Sequence, residues 1–337
     1  MGQNGHFANI SSIIRFMRIV VTGGAGYIGS HVVNTLILNG HEPIIVDDLS
    51  SGRLDFIPQG LALNRIDVSD SGAMNSFFSG LTEISGVIHL AGLKYAGESV
   101  KRPLDFYRAN TLGLACTLQA MKISGIQSIV FSSSCSVYGD SSHDEPTSED
   151  SPLNPRSPYG KSKFFAEQIL ADEMAASGIN AISLRYFNVA GNGNIAAHDQ
   201  SPHNLFPNIY RAIESQTILD VFQSENETRD GTCVRDYVDV NLLALAHMHA
   251  LTKIVAGDKL DFAYNLGSGI GTSTLEIAHA AKEMFGVEYR LLPPRSGDPS
   301  TILADNRKAV LDLNWVHETG LDEMLAKGYM AWSNFKL

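Results

Sequence analysis

Short apolar runs along the chain alternate with longer segments whose apolar residues recur at helical spacing. The short runs are brief enough for buried strands and lie at 18–22, 42–46, 61–66, 87–90, 128–131 and 180–184. The segments of helical spacing lie at 32–37, 105–123, 159–177 and 242–251. Strands that alternate with helices predict a parallel sheet with helices on both faces. The expected fold class is therefore α/β, with a doubly wound sheet of the Rossmann type.

The pattern changes after residue 187. Residues 189–207 are rich in Gly, Asn and His without a clear period, which is typical of a binding loop, and shorter strands and helices follow. A strand begins directly after Met17, and the residues before it lack the basic segment of a signal peptide. We predict a disordered extension at 1–16, a dinucleotide-binding domain at 17–187 and a smaller α/β substrate domain at 188–337, parts of which pack back on the first domain.

Composition narrows the function classes. The 337 residues are 44% hydrophobic and 18% charged, as in a soluble protein with a real core, and the net charge of -11 disfavours nucleic acid or an anionic membrane as a partner. No apolar run approaches membrane-spanning length. The three cysteines, Cys116, Cys135 and Cys233, are too widely spaced for a zinc site or a disulfide framework, which favours a reducing, cytoplasmic setting. His247 and His249, two residues apart on a helix, point to different faces, so no metal is expected.

A glycine-rich loop connects the first strand to the first helix. Gly23, Gly26 and Gly29 occupy it, and glycine lets the backbone approach a pyrophosphate closely while the helix N-terminus supplies N–H groups. Asp47 and Asp48 end the next strand, where an acid binds the ribose hydroxyls of a dinucleotide. Because a carboxylate there repels a 2′-phosphate, the pattern favours NAD over NADP.

Hydroxyl groups and one lysine form the candidate reactive centre. Serines cluster at 132–136, where a predicted strand ends, and ligands of open α/β sheets bind at such ends. Tyr159 and Lys163 are four residues apart and share one helix face. A nearby ammonium lowers the pKa of a phenol, so the pair is a candidate proton-transfer group. Taken alone, the spacing fits two surface residues better than a reactive pair.

Seven stretches in a fixed order carry a resemblance to a known family. They are 21–31, 91–94 with 97–99, 132–134 with 137–139, 157–163, 185–188, 231–237 and 297–298. Through them the chain resembles the extended short-chain dehydrogenase/reductase family over essentially its whole length after Met17. The resemblance implies reversible inversion at C4 of UDP-glucose and UDP-galactose through a 4-keto intermediate, with tightly bound NAD. It also implies a homodimer.

The resemblance assigns a role to each matching position. Tyr159 is implied as the base, Lys163 as its electrostatic partner and Ser134 as the catalytic hydroxyl. The implied NAD contacts, besides Tyr159 and Lys163, are Gly23, Gly26, Tyr27, Ile28, Gly29, Asp47, Asp48, Asp67, Val68, Lys94, Asn110 and Phe187. The implied UDP-sugar contacts, besides Ser134 and Tyr159, are Ser136, Asn188, Asn204, Leu205, Phe222, Arg235, Arg295, Asp298 and Ile302.

Two positions depart from the family's patterns. Dehydratases of the family carry an Asp-Glu pair where this chain has Cys135-Ser136, which counts against dehydration. Ile302 stands where a family residue controls the room for the sugar's 2-substituent. Isoleucine is smaller than a tyrosine and larger than a cysteine at this position. The alternative is therefore a 4-epimerase that acts on another UDP-sugar. The candidates are UDP-N-acetylglucosamine and UDP-N-acetylgalactosamine, UDP-glucuronate, or UDP-xylose. A protein that binds NAD as a sensor without turnover is a third possibility.

Overall fold

The computed structural model describes residues 16–139, 145–193, 195–295 and 298–334. The predicted extension, apart from residue 16, and Gly297 of the last matching stretch lie outside the described residues. The strands are β1 Arg18–Thr22, β2 Glu42–Asp47, β3 Leu63–Arg65, β4 Gly86–His89, β5 Ser128–Ser132, β6 Asn180–Tyr186, β7 Asn188–Ala190, β8 Leu219–Phe222, β9 Val234–Asp239, β10 Ala263–Leu266, β11 Gly271–Ser273, β12 Tyr289–Leu292 and β13 Thr301–Ile302.

The helices are α1 Tyr27–Leu38, α2 Ser71–Ser79, α3 Ala96–Lys101, α4 Pro103–Phe106, α5 Gly113–Ile123, α6 Pro158–Ser177, α7 Leu205–Ser215, α8 Val240–Ala256, α9 Thr274–Phe285, α10 Arg307–Leu313 and α11 Leu321–Asn334. Short 3₁₀ turns lie at Leu54–Phe56 and Cys135–Val137, and a π-helical segment at Tyr107–Leu112 joins α4 to α5.

A seven-stranded parallel sheet forms the centre of the molecule. Its order is β3-β2-β1-β4-β5-β6-β10. Val20 lies opposite Ile44 on one side and Val87 on the other, and both valines are fully buried. The strand order reverses direction between β1 and β4, which makes the carboxyl ends of these two strands the expected ligand crevice. The prediction of a doubly wound α/β fold is confirmed.

Helices cover both faces of this sheet. On one face α1 packs against α8, and Val33 and Leu36 share a core with Leu243 and Leu251. On the other face α2, α5 and α6 pack together around a second core. In α6 the buried side includes the polar Ser162, Lys163 and Glu167 as well as Ala166 and Leu170.

The second half of the chain builds two smaller sheets. In one, β9 pairs with β7, β11 and β13, and in the other β8 pairs with β12. Helices α7, α9 and α11 enclose a third core around Ile209, Ile277 and Leu325. However, β10 joins the seven-stranded sheet and α8 packs on α1. The chain beyond residue 187 therefore contributes to both parts of the molecule.

Two predicted elements differ from the structure. The helix predicted at 105–123 is interrupted by the π-helical segment, whose Asn110 and Thr111 side chains bond to α6 through Ser162. The segment 189–207 is regular at both ends, because β7 runs to Ala190 and α7 begins at Leu205.

Candidate active site

The glycine-rich loop sits at the carboxyl end of β1 and has no room for side chains. Gly23 has a φ of +72°, and a Cβ there would lie 2.6 Å from the Ala91 nitrogen. A Cβ at Gly29 would overlap the carbonyl oxygen of Gly23. The N-cap Gly26 supplies no side chain to the first turn of α1. The loop and helix end therefore fit a pyrophosphate, which needs close backbone approach and free N–H groups.

Asp47 ties the end of β2 to this loop. Its Oδ2 accepts a hydrogen bond from the Ala25 nitrogen at 3.0 Å and its Oδ1 accepts one from the Leu49 nitrogen at 2.8 Å. Burial raises the pKa of Asp47, and the two backbone hydrogen bonds act in the other direction. Asp48 accepts from the Ser50 nitrogen at 2.8 Å. Each Asp47 oxygen retains a lone pair, so the carboxylate still has acceptor capacity for ribose hydroxyls.

Asp67 and Asn110, two predicted cofactor contacts, are bound within the protein. Asp67 accepts from Arg108 Nη2 at 2.7 Å and from the Ser69 nitrogen at 2.9 Å, next to the buried Val68. Asn110 is buried, and its Oδ1 accepts from the Leu93 nitrogen at 2.7 Å. Its Nδ2 donates to the Leu93 oxygen at 3.0 Å and to Ser162 Oγ at 2.8 Å. Asn110 thus fixes the loop after β4 to α6.

Lys94 and Asn204 meet at a residue that the sequence pattern did not single out. Lys94 Nζ lies 3.1 Å from Asp199 Oδ1, and Asn204 Nδ2 donates to Asp199 Oδ2 at 2.6 Å. Asp199 lies in the 189–207 segment, where no period distinguishes one polar residue from another. It links a predicted cofactor contact to a predicted substrate contact.

A second link joins α1 to the same segment. Tyr27 donates its hydroxyl to the Gly191 oxygen at 2.7 Å. The Gly193 nitrogen donates to His31 Nε2 at 3.1 Å, so His31 carries its proton on Nδ1, which lies 2.8 Å from the Tyr27 oxygen. Ile28 is partly buried and Phe187 is buried in the core beside α1. His31 was not among the predicted site residues, because a histidine inside an apolar helix usually serves packing.

Ser157 and Pro158 begin the helix that carries the reactive pair. Ser157 Oγ accepts from the Gly160 nitrogen at 3.1 Å, and Pro158 occupies the first helical turn, where its missing N–H costs nothing. Lys163 is 4% exposed, its Nζ donates to the Ser132 oxygen at 2.8 Å and lies 5.0 Å from the Phe131 ring centroid. Burial lowers the pKa of Lys163 to about 8.

Tyr159 lies beside the serine cluster. Burial raises the pKa of Tyr159, Tyr186 adds to the increase, and a hydrogen bond with Ser134 acts in the other direction. Ser134 Oγ lies 3.2 Å from Ser136 Oγ and accepts from the Ser136 nitrogen at 3.2 Å. The structure thus brings Ser134, Ser136 and Tyr159 together.

The prediction that Lys163 lowers the pKa of Tyr159 is wrong for this structure. The phenol is fully enclosed, so its charged form loses hydration, and the Lys163 ammonium is bound to the Ser132 carbonyl. Burial therefore favours the neutral phenol, and the phenolate needs a positive charge beside it.

Two arginines lie in the second part of the molecule. Arg235 Nη2 bonds to Asp298 Oδ1 at 2.5 Å, and Arg235 stands opposite Ile302 in the pairing of β9 with β13. The Arg295 guanidinium lies 3.5 Å from the ring centroid of Phe222. A planar guanidinium pairs bidentately with phosphate oxygens, so both suit a diphosphate.

The remaining predicted substrate contacts flank these arginines along the chain. Asn188 lies opposite Tyr237 in the pairing of β7 with β9 and hydrogen-bonds to its hydroxyl. Leu205 begins α7, directly after the N-cap Asn204. In the part of the chain that the structure describes, no helix has the length and apolar character to cross a bilayer, and no group of three metal-binding side chains is found.

The fold and the site together define a dinucleotide-binding α/β enzyme with a Ser–Tyr–Lys group. Residues 19–267 match the model of the NAD dependent epimerase/dehydratase family. The chain belongs to this family. It is 40% identical to the UDP-glucose 4-epimerase of Bacillus subtilis (strain 168), over 93% of this chain and 96% of the relative.

Solved structures show the same fold. A UDP-glucose 4-epimerase from Stenotrophomonas maltophila, with bound NAD and formylated UDP-arabinopyranose, aligns with a TM-score of 0.88 at 34% identity, covering 94% of this chain and 98% of that one. The enzyme from Brucella ovis in complex with NAD aligns with a TM-score of 0.87 at 34% identity, covering 95% and 98%.

Proposed function

We propose that this protein catalyses the reversible C4 epimerisation of UDP-glucose and UDP-galactose. The observation that carries the proposal is the meeting of Ser134, which follows the carboxyl end of β5, with Tyr159 and Lys163 in the first turns of α6. The names of the relatives above support the choice of substrate.

The glycine-rich loop, the first turn of α1 and Asp47 would hold NAD, with Tyr27, Ile28, Asp48, Val68 and Phe187 around it. Bound NAD would supply the hydride acceptor for C4 of the sugar and the hydride donor for the reverse step. Asp67 and Asn110 act by fixing the loops that adjoin the cofactor, since their polar atoms are bonded within the protein. Lys94, which is ion-paired with Asp199, would lie on the same side of the cofactor site.

As the phenolate, Tyr159 would accept the proton of the sugar 4-hydroxyl during oxidation, and as the phenol it would return that proton during reduction. Ser134 is bonded to the phenol and would hold the same sugar oxygen. Lys163, with a pKa near 8, carries positive charge at neutral pH and would stabilise the phenolate that accepts the proton. The 4-keto sugar turns over between the two half-reactions while the nucleotide stays bound.

Arg235 and Arg295 would bind the diphosphate of UDP, with Asn188, Asn204, Leu205 and Asp298 completing the nucleotide site. We place the NAD-binding part at 17–187, joined by α8 and β10, and the substrate-binding part in the rest of 188–337. A cytoplasmic setting is supported by the three free cysteines.

The test is incubation of the purified protein with UDP-galactose and separate quantification of the two C4 epimers. Formation of UDP-glucose to an equilibrium mixture, without added NAD, supports the proposal. Absence of turnover with NAD bound contradicts it and favours the sensor alternative. A parallel incubation with UDP-N-acetylgalactosamine tests the size of the space beside Ile302. If the protein converts UDP-N-acetylgalactosamine and not UDP-galactose, it is a 4-epimerase for N-acetylated UDP-sugars.

We also propose that the protein is a homodimer through an apolar face on α3, α4 and α6. Val100, Leu104 and Phe165 are 66%, 79% and 44% exposed there, and the Phe165 ring lies 6.0 Å from that of Tyr107. Contiguous exposed apolar patches often mark protein–protein interfaces. Light scattering should give twice the chain mass, and Leu104→Arg with Phe165→Arg should give the single mass. A wild-type monomer at micromolar concentration contradicts the proposal.

A further inference from the structure

A buried ion pair lies directly behind the candidate catalytic group. Glu167, on α6, is fully buried, and Arg185, on β6, is 4% exposed. Arg185 Nη2 donates to Glu167 Oε2 at 2.6 Å and Arg185 Nε donates to Glu167 Oε1 at 2.9 Å. A buried ion pair often adds no net stability over apolar residues of the same volume. The pair therefore calls for an explanation other than stability.

The pair holds both ends of the loop that carries Ser134. Ser133, which precedes Ser134, donates its hydroxyl to Glu167 Oε1 at 2.5 Å. At the other end of the loop, Arg185 Nη1 donates to the Tyr138 hydroxyl at 3.0 Å. Between these two anchors the loop makes the short 3₁₀ turn at Cys135–Val137. The position of Ser134 is thus fixed from both sides by one pair of side chains.

The anchors continue into the central sheet. The Tyr138 hydroxyl donates to Asn265 Oδ1 at 2.7 Å, on β10, and the Ser133 nitrogen donates to the Leu184 oxygen at 2.9 Å, on β6. The Glu149 carboxylate binds the Asn265 nitrogen at 2.7 Å and is the further acid near Tyr138. The loop is therefore anchored to two strands of the central sheet, β6 and β10, and to α6.

Glu167 also shares a helix face with the reactive pair. Tyr159, Lys163 and Glu167 follow one another at intervals of four residues along α6. This spacing was readable from the sequence and is the signal that would have found Glu167. A shift of Glu167 relative to Ser133 would change the separation of Ser134 from Tyr159, because α6 carries one and the loop carries the other.

The charge of Glu167 acts on Lys163. Burial lowers the pKa of Lys163 and Glu167 raises it. From the other elements, Lys163 faces the Ser132 carbonyl and the Phe131 ring on β5, and His89 on β4, which is neutral because burial lowers its pKa to about 3. The carboxylate therefore favours the protonated form of Lys163.

We propose that Glu167, clamped to Arg185, is a positioning residue of the reaction: it fixes Ser134 against Tyr159 and keeps Lys163 charged. This inference rests on the proposed epimerisation. The two effects separate experimentally, because the contact to Ser133 is a hydrogen bond whereas the effect on Lys163 depends on charge.

The first experiment compares Ser133→Ala with Ser183→Ala. Both hydroxyls are buried in this region, but Ser183 Oγ, on β6, has no hydrogen-bond partner within the described residues. In the UDP-galactose assay we expect Ser133→Ala to lower kcat about tenfold with KM unchanged, because displacement of a catalytic group acts on the transition state. Ser183→Ala keeps the wild-type kcat. Equal kcat values in the two variants overturn the clamp.

The second experiment measures kcat against pH for Glu167→Gln. Glutamine keeps the shape and an acceptor for Ser133 but removes the charge, so Lys163 loses its proton at lower pH and the alkaline limb of kcat moves down by about one pH unit. Ser133→Ala keeps the wild-type limb. If Glu167→Gln lowers kcat equally at every pH and leaves the alkaline limb at its wild-type position, Glu167 has only a structural role. That result overturns the inference.

Fold and cofactor content are measured on the same samples. Where Glu167→Gln does not yield folded protein, Tyr138→Phe replaces it as the second test of the clamp, with the same loss of kcat at unchanged KM expected and wild-type kcat overturning it. If the wild-type protein does not convert UDP-galactose, the proposed function fails. If it does and the variants match it, only this inference fails.

Discussion

Three of the buried histidines, His31, His89 and His247, should make the protein unusually sensitive to mild acid. Burial lowers the pKa of His31 to about 4, of His89 to about 3 and of His247 to about 4, from 6.5 in an unfolded chain. Between pH 6.5 and 4 the unfolded state binds more protons than the folded state, so stability falls as the pH falls. The Nε2 atoms of His89 and His247 have no partner among the described residues, so a proton there would meet no acceptor.

The size of the effect follows from these values. At pH 5 each histidine lowers the free energy of unfolding by about 2 kcal/mol relative to pH 7.5, and the three together by about 6 kcal/mol. This is comparable to the whole stability of an ordinary domain, about 5–15 kcal/mol. We therefore expect the urea midpoint, followed by circular dichroism with excess NAD, to fall steeply between pH 7.5 and pH 5.

His247→Leu isolates one contribution. Its side chain lies in α8, with Nδ1 2.8 Å from the Leu243 oxygen and the ring centroid 6.0 Å from that of Tyr186. Whatever the substitution does to stability at pH 7.5, the loss between pH 7.5 and pH 5 should shrink by about 2 kcal/mol. The exposed His279→Leu serves as the matched control and should keep the wild-type loss. An unchanged loss in His247→Leu would refute the reasoning.

Three further substitutions test the site. Gly29→Ala places a Cβ against a backbone carbonyl, so we expect the purified protein to lose NAD and to be destabilised by about 1–3 kcal/mol. Gly320→Ala, with open space around it, should keep its bound NAD and its stability. Bound NAD in Gly29→Ala would contradict this expectation. Asp199→Asn breaks the ion pair with Lys94, whose side chain is 46% exposed, so NAD dissociation, followed by fluorescence, should quicken about two- to fivefold with little change in Tm. An unchanged rate would contradict a role of this ion pair in holding NAD. Arg235→Met should raise the KM for UDP-galactose about tenfold or more while kcat changes less, and a fall in kcat alone would argue against diphosphate binding.

Most of the fold was predictable from local sequence patterns. The buried runs of β1, β2, β4, β5 and β6 were readable because a strand with both faces covered is apolar throughout. The start of α6 was equally local, since Ser157 and Pro158 cap a helix wherever they precede one. The glycine-rich loop was recognisable because its spacing reflects a steric requirement that the structure displays at Gly23 and Gly29.

Contacts between distant segments were not readable. Asp199 meets Lys94 across 105 residues, and Arg185 meets Glu167 across 18. Such pairs leave no periodic trace, because either residue alone resembles an ordinary polar position. The π-helical segment at 107–112 was hidden for a similar reason: its shape accompanies side-chain bonds from Asn110 and Thr111 to α6 that no helical period records.

The most direct test of the account compares Tyr159→Phe with the wild-type protein in the conversion of UDP-galactose to UDP-glucose. The substitution removes one oxygen and leaves the ring, so the variant should keep its fold and its bound NAD. Epimerisation should fall by at least about 100-fold, the usual contribution of a positioned proton-transfer group. Turnover of UDP-galactose by Tyr159→Phe at a near wild-type rate would contradict the central claim.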